Sequence, residues 1–318
     1  MALELRGEQP GDEEALDLVN FRAFGPGDSP AADRGREEME LVQQLRAHYP
    51  AYDPRYSVVA WQGEEAVGHA LFTPAPIRLL GETVRALAVG PVAVLPEWQR
   101  KGIGGELLRY GHELGREEGY HLAFLCGHPS YYPRHGYRSC FGFAEVRVDT
   151  ERLPAAQRRF VTAPVRNADL EWLAARCAAE WADVDFAWLW GPHRDEWMLP
   201  GVRALVWWTE EGERAAYTLA TGTGEATRWR MVLGEDAALV RDVLATVRPA
   251  SLAQHPAGWL ARSVLEPEWA SVEVRQSEAA MACELQPGAL EPCLRALQSG
   301  ERLPGACNYP LPFVLCGA

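Results

Sequence analysis

Residues 92–108, VAVLPEWQRKGIGGELL, bring a β-branched run, a proline, two cations and three glycines together where a strand hands over to a helix. Free amides at a helix N-terminus, with the helix dipole behind them, make a ready seat for a phosphate-type anion. Glycines let the main chain approach such a ligand without a Cβ in the way. Gln99, Arg100, Lys101, Gly102, Ile103, Gly104 and Gly105 fit that task. The spacing is not a dinucleotide fingerprint, which would need glycine at Leu107, and no Gly-Lys-Ser/Thr is present to make a Walker A loop. Upstream, Gly90-Pro91 interrupts a strand, and proline gives a ladder no N–H. A bulge there would let the strand splay from its neighbour, freeing main-chain groups of Val92 to Val94 for an extended, amide-bearing ligand. A pantetheine arm has that shape, and it would run from a diphosphate at Gln99–Gly104 into the crevice between VAVL and the later LAFLC.

These residues need a scaffold, and the flanking patterns supply one. LELRG reads as a strand, and a helix comes next with Gly11 or Asp12 as its cap. A loop from Phe24 to Gly35 leads to a second helix carrying Met39, Leu41, Val42, Leu45 and Ala47. Two strands flank the turn Gln62-Gly63-Glu64-Glu65, and VRALAVGPVAVLP is a longer third. Ile103, Leu107, Leu108 and Leu114 lie on one helical face, with Gly119 as the stop signal. HLAFLCG is a buried strand, HPSYYPRHGY a turn or short helix, and CFGFAEVRVDT a last strand ending near Thr150. ERLPAAQRR then reads as a linker. The second half of the chain repeats the layout faintly: a strand, cap and helix with Leu170, Leu173, Ala174, Cys177, Ala178 and Trp181 on one face, a hairpin, a strand-helix unit, and SLAQHP in the place of HLAFLCGHP. The expected division is therefore residues 1–152 and 160–318, two α/β domains of which the second is a degenerate copy of the first.

The bulk composition narrows the partners. A formal net charge of −13 speaks against a nucleic acid or an anionic membrane. No apolar run approaches the ~20 residues of a membrane span. The start, MALELRGEQPGDEE, lacks the basic and apolar regions of a signal peptide. The seven cysteines form no CxxC pair and are odd in number, so reduced thiols of a cytoplasmic protein are expected, with no metal site. The one lysine of the chain is Lys101.

The segment from about Tyr56 to Gly142 resembles the GCN5-related N-acetyltransferase (GNAT) family. The family's Q/R-x-x-G-x-G/A motif matches Gln99 to Gly104, VAVLPEW matches the preceding strand, and a Tyr-x-x-x-Gly-aromatic element matches Tyr132, Gly136 and Tyr137. The resemblance implies a mixed, mostly antiparallel sheet flanked by helices, with acetyl-CoA as co-substrate and no metal. It also implies that the main chain of Val92 and Val94 pairs with pantetheine. The reaction would be direct attack by a primary amine in a ternary complex, the acceptor being a small molecule before a protein. Tyr132 would then protonate the leaving thiolate, with the neighbouring Tyr131 as the alternative and one of the pair serving in packing. The family has no fixed base. His128 closes the crevice strand, and imidazole is suited to proton exchange near neutrality; Glu97 and Glu82 stand behind it. A homo-oligomer is compatible with the family. Two rival readings are a catalytically silent acyl-CoA-binding module and a transferase of longer acyl chains.

The second half carries ten of the twelve tryptophans and no QxxGxG. After RMV come LGEDAALV, with acids where phosphate-binding cations should be, so it is expected not to bind CoA. Over the whole chain the resemblance extends more weakly to tandem-domain acetyltransferases of the enhanced-intracellular-survival type. In that reading WADVDFAWLWGPHRDEW is the first place to look for an acceptor site, although core packing is the commoner use of such aromatics.

Overall fold

The fold is given by a computed structural model that describes residues 3–25, 34–198, 202–223 and 227–310. Most of the loop expected from Phe24 to Gly35, and Cys316, lie outside them. The first half supplies β1 (Leu3–Gly7), α1 (Glu13–Phe24), α2 (Arg34–His48), β2 (Ser57–Gln62), β3 (Glu65–Leu79), β4 (Glu82–Val94), α3 (Ile103–Glu117), β5 (Leu122–Cys126), β6 (Arg138–Ser139) and β7 (Phe141–Val148). The second begins with β8 (Phe160–Pro164), α4 (Leu170–Glu180), β9 (Phe186–Trp188), α5 (Arg194–Trp197), β10 (Arg203–Thr209), β11 (Arg214–Thr221), β12 (Arg228–Leu233) and α6 (Ala237–Val247). It continues with β13 (Ser251–Leu252), α7 (Trp259–Ser263), β14 (Ala270–Gln276), β15 (Ala280–Glu284), α8 (Glu291–Gln298) and β16 (Gly305–Ala306).

The strands form two mixed, mostly antiparallel sheets. The first runs β1-β2-β3-β4-β5-β15-β6, with β9 added along β3; the second runs β14-β7-β13-β12-β11-β10-β8, with β16 added along β7. Alternating side chains divide the first sheet's faces. Val58, Ala60, Ala70, Phe72, Leu87, Val89, Ala123 and Leu125 meet the Ile103, Leu107 and Leu108 face of α3. On the opposite face, α1 buries Leu16 and Val19 with Val59, Ala93 and Leu95. Beside it α2 buries Leu41, Val42 and Leu45 in the cluster holding Leu71, Ala88 and Phe124.

The last strand of the first half, β7, does not join the first sheet. β7 lies in the second sheet, between β14 and β13, and its vacated place is taken by β15, inserted between β5 and β6. Composition explains the exchange. β15 begins Ala-Met-Ala-Cys, all buried, as a strand covered on both faces requires. β7 alternates instead, burying Val146 and Val148 in the second core. The Phe141 ring at its start stacks on Phe186 at 4.5 Å. The first sheet thus takes β9 and β15 from beyond residue 160, and the second takes β7 from before residue 152. Apart from that swap, the order β8-β10-β11-β12-β13 reproduces β1-β2-β3-β4-β5, so the faint repeat in the sequence is a repeat of topology. The buried tryptophans Trp181, Trp188, Trp190 and Trp197 belong to the large core cluster shared by the two halves.

A buried polar chain fixes α1 to β2 and β3. Ser57 Oγ donates to Glu8 Oε2 at 2.5 Å. Its proton is therefore spent, and His69 Nε2, 3.0 Å away, must be the protonated nitrogen that donates to it. His69 Nδ1 then accepts from Asn20 Nδ2 at 3.0 Å. Burial and the charge of Arg46 push the His69 pKa down to about 3, so the ring is neutral in the fold. Burial, with Arg116 and His135, likewise lowers His112 to about 4, and its Nε2 lies 2.8 Å from the Tyr137 hydroxyl. Below an unfolded-state pKa of about 6.5 the unfolded chain binds protons that the folded chain refuses. Stability contributed by these neutral rings is complete above that pH and is lost as pH falls toward 4. A melting-temperature series from pH 7.5 to 4 should show this decline, and His112→Gln should lessen its slope.

Candidate active site

β4 and β5 part company at the centre of the first sheet. They pair in parallel at Ala86–Leu122, Leu87–Ala123 and Ala88–Phe124, and no further. On its other edge, β4 stays joined to β3 as far as Val94, across a register shift between Ala70 and Phe72 that accommodates Gly90-Pro91, a cis peptide. The extra residue lies on β4, as the interrupted run of the sequence suggested. Leu95 N–H donates to Val67 C=O at 3.0 Å. Strand alternation then turns the main-chain groups of Ala93 toward β3 and those of Val92 and Val94 toward the gap left by β5. Gln99 does not face outward as a free donor: its Nε2 donates to the Val94 carbonyl at 3.1 Å, bracing the end of the strand.

Beyond β4 the chain makes a single helical turn at Pro96–Trp98 and enters α3 through Gly102. Arg100 has φ +62° and Gly102 φ +85°, both left-handed. At Gly102, only glycine takes that conformation cheaply. The first helical hydrogen bond is Glu106 N–H to Gly102 C=O, and Gly102 has no side chain to cap the helix. The amides of residues 100–105 consequently have no partner among the described residues. Arg100 and Lys101 are exposed and form no ion pair among them; the Lys101 ammonium lies 4.2 Å from the centroid of Trp98. A cavity of about 370 Å³ beside this helix start is lined by Gly102, Gly105, Arg109, Arg116 and His135.

The turn after β5 closes the other side. Tyr132 packs its ring against Gly127 and edge-on to Tyr131 at 5.1 Å and Tyr137 at 5.6 Å. Its hydroxyl makes no hydrogen bond among the described residues. Burial, then Tyr131 and the carboxylate of Glu38, raise its pKa above the usual phenol value, so it is protonated at neutral pH. Tyr131 lies over the helix start, its hydroxyl 2.6 Å from where a Cβ on Gly104 would stand. That glycine is thus required by a protein neighbour, in addition to the ligand approach expected of it. His128 is exposed, and the Ser130 hydroxyl and amide lie 3.0 and 3.4 Å from its Nδ1. Glu97 is tied to Arg22 at 3.0 Å on the surface.

Glu38 was missed as a site residue because α2 is rich in charge. The signal was nonetheless present: it stands three, four and seven positions before Leu41, Val42 and Leu45, which places it on the buried stripe. In the second half, the helix start equivalent to Gly102 is Asp236. Its Oδ1 accepts from Ala238 N–H at 2.8 Å and Leu239 N–H at 2.9 Å, so the amides an anion would need are already taken.

A parted sheet beside an uncapped helix is the arrangement of an acyltransferase that admits a diphosphate-bearing donor. Comparison with known proteins identifies the class. A family model described as an acetyltransferase (GNAT) domain matches residues 13–140. The Uncharacterized N-acetyltransferase YjhQ of Escherichia coli K12 is 40% identical over 131 residues, which is 41% of this chain and 67% of that one. The chain belongs to the GNAT family and is an acetyltransferase, an enzyme that moves an acyl group from acyl-CoA to an amine. Two solved structures share the fold across both halves. A conserved protein of Enterococcus faecalis V583 titled a "Probable N-Acyltransferase" matches with TM-score 0.65 and 14% identity, over 91% of this chain and 74% of its own. Eis1 of Mycobacterium abscessus matches with TM-score 0.60 and 18% identity, over 92% and 76%.

Two glycines of the loop separate conformational from steric cost. A Cβ on Gly102 would meet nothing within 4 Å, so Gly102→Ala should cost only the left-handed backbone penalty, about 1–2 kcal/mol. Gly104→Ala should instead displace the Tyr131 ring. Urea unfolding checks the first, and a changed near-ultraviolet dichroism of the tyrosines, unaltered in Gly102→Ala, checks the second.

Proposed function

We propose that the chain transfers acetyl from acetyl-CoA to a primary amine of a small molecule by direct attack within a ternary complex. The diphosphate of the donor would take the amides of residues 100–105, with Arg100 and Lys101 as flanking charge. The pantetheine arm would hydrogen-bond the outward main chain of Val92 and Val94 and carry the thioester into the gap between β4 and β5. Gly102, Ile103, Gly104 and Gly105 serve this through their backbone, and Gln99 by holding Val94 in place. The observation that carries the reading is the juxtaposition of unpartnered helix amides, outward strand groups and an unpartnered Tyr132 hydroxyl around one gap.

The protons can be followed. A neutral amine attacks the thioester carbon, a C–N bond forms and the C–S bond breaks. Tyr132, held protonated by its burial, gives its proton to the sulfur as negative charge develops there. The resulting phenolate is a strong base and recovers a proton from the nitrogen, which carries one too many. His128 is the second candidate for the earlier deprotonation of the ammonium, at Nδ1, the nitrogen that accepts from Ser130 N–H and is released when the ammonium displaces that contact. The acidic surface favours cationic acceptors, and Asp236 leaves the second half without an equivalent donor site.

Calorimetry with acetyl-CoA should give a single site per chain. Arg100→Ala and Lys101→Ala should each weaken binding by about tenfold, the worth of one charge-assisted contact. Tyr132→Phe should bind acetyl-CoA as before but release CoA from amine reactions about 10²-fold more slowly. Absence of any heat with the coenzyme would refute the reading, as would a Tyr132→Phe rate equal to that of the unaltered protein.

A further inference from the structure

Glu38 is a carboxylate in an unusual position. Its side chain is only 12% exposed, and its one ion partner is Arg34 Nε at 4.0 Å. No donor hydrogen-bonds it among the described residues. Most other buried carboxylates accept at least one hydrogen bond: Glu180 from Leu260 N–H at 2.8 Å, Asp169 from Arg214 at 3.0 Å, Asp242 from Arg158 at 2.8 Å and Glu196 from the Tyr49 hydroxyl at 3.3 Å, while Asp185 is left with Arg302 at 3.6 Å. A charge largely withdrawn from water without a hydrogen bond is costly, so a donor from outside the chain would stabilise it.

Its place in the fold indicates which partner. The start of α2 is pressed against the end of α1, where a Cβ on Gly35 would stand 2.3 Å from the Phe21 carbonyl. The end of α1 is in turn held at the far end of β4 through Arg22 and Glu97. Leu41, Val42 and Leu45 share a core cluster with Ala88 and Phe124, the last paired rung, so Glu38, one turn nearer α1 on the same stripe, lies toward the gap beyond that rung, on the face opposite α3. Tyr132 reaches the same gap from the α3 side, close enough for the Glu38 charge to oppose its ionisation.

We propose that Glu38 seats the ammonium of the acceptor in the gap and takes its proton before attack. This deepens the proposed function and rests on it. The ammonium gives one proton to the Glu38 carboxylate, which later passes to water. The amine nitrogen then bonds to the thioester carbon, sulfur leaves with the proton of Tyr132, and the nitrogen returns a second proton to that phenolate. Burial foremost, with Glu37 and against Arg34, pushes Glu38 up to about 7, which suits a base that must reload near neutral pH. His128, exposed and engaged by Ser130, is the weaker choice.

The test compares the full-length chain with Glu38→Gln and Glu38→Asp, using acetyl-CoA, a panel of primary alkylamines and aryl-alkylamines, and hydroxylamine. Hydroxylamine is neutral at pH 7 and has no proton to surrender first. Glu38→Gln should keep its affinity for acetyl-CoA and its rate with hydroxylamine. Its kcat/KM for amines should fall about 10²-fold or more, through both KM and kcat. Glu38→Asp, which keeps the charge one methylene further back, should recover part of the loss. Amine turnover by Glu38→Gln equal to that of the unaltered chain overturns the role of Glu38 and leaves the proposed function standing. Equal losses with hydroxylamine and amines overturn it as well. Acetyl-CoA binding by the unaltered chain with no amine acetylated overturns the acceptor class, and the role of Glu38 falls with it.

Discussion

The geometry of the site is set by where one ladder ends. β4 and β5 are held together only through Ala88 and Phe124. Past that point β4 stays with β3, because the extra residue at Gly90-Pro91 shifts its register without breaking that pairing. β5 instead turns toward Tyr131 and Tyr132, its Gly127 amide bonded to Ala279 of the incoming segment before β15. A sheet interior normally has no spare main-chain donors. Here two neighbouring strands are each satisfied on one edge by a different partner, so the edges facing each other stay unpaired with one another, with Gln99 alone reaching the Val94 carbonyl. The gap is thus a consequence of hydrogen-bond accounting, and it costs nothing in unpaired groups once a ligand with amides of its own enters.

The second half of the chain maintains this geometry. Phe124, at the last rung, is met edge-on by Phe141, Phe186 and Trp188 and is stacked on Tyr309. Three of those four rings come from beyond residue 152. β15 supplies the neighbour that holds β5 away from β4, and β9 extends the edge of β3. Without residues 160–318, Phe124 and Phe141 would lose these rings and β5 would lose β15, keeping only its three rungs with β4. The tryptophan crowding of the second half serves this packing, as at Trp188 and Trp197, both fully buried.

What could be read from the sequence divides along the same line. The anion loop, the bulge and the tyrosine turn were legible because their residues are near neighbours and their roles rest on local chemistry: amides, φ angles and a missing N–H. The elements before β7 were legible for the same reason. The strand exchange was not, because the pairing of β15 with β5 joins residues more than 150 positions apart. Glu38 fell between the two cases. Its spacing from Leu41, Val42 and Leu45 was visible, but the charged residues around it suggested a solvated helix face. The fold class came with the resemblance carried by residues 56–142, and the faint repeat extended it, since binary patterning survives in the second half where the site residues differ.

That survival shows how little separates a binding helix from a structural one. α3 and α6 start after equivalent strands, and both present their first amides at the end of a sheet. In α6, Asp236 caps the helix with its own carboxylate, satisfying two amides and placing negative charge where the dipole is positive. In α3 the same position is Gly102, which caps nothing. An Asp there would first have to give up the left-handed φ of +85° for the extended backbone of Asp236, and once capping α3 in that way it would repel a diphosphate. The uncapped start is therefore a local sacrifice of stability that keeps an anion seat open. It is also why a chain with a net charge of −13 can still present one positive pole: the cations Arg100 and Lys101 supplement free amides, and the amides do not depend on the charge of the rest of the surface.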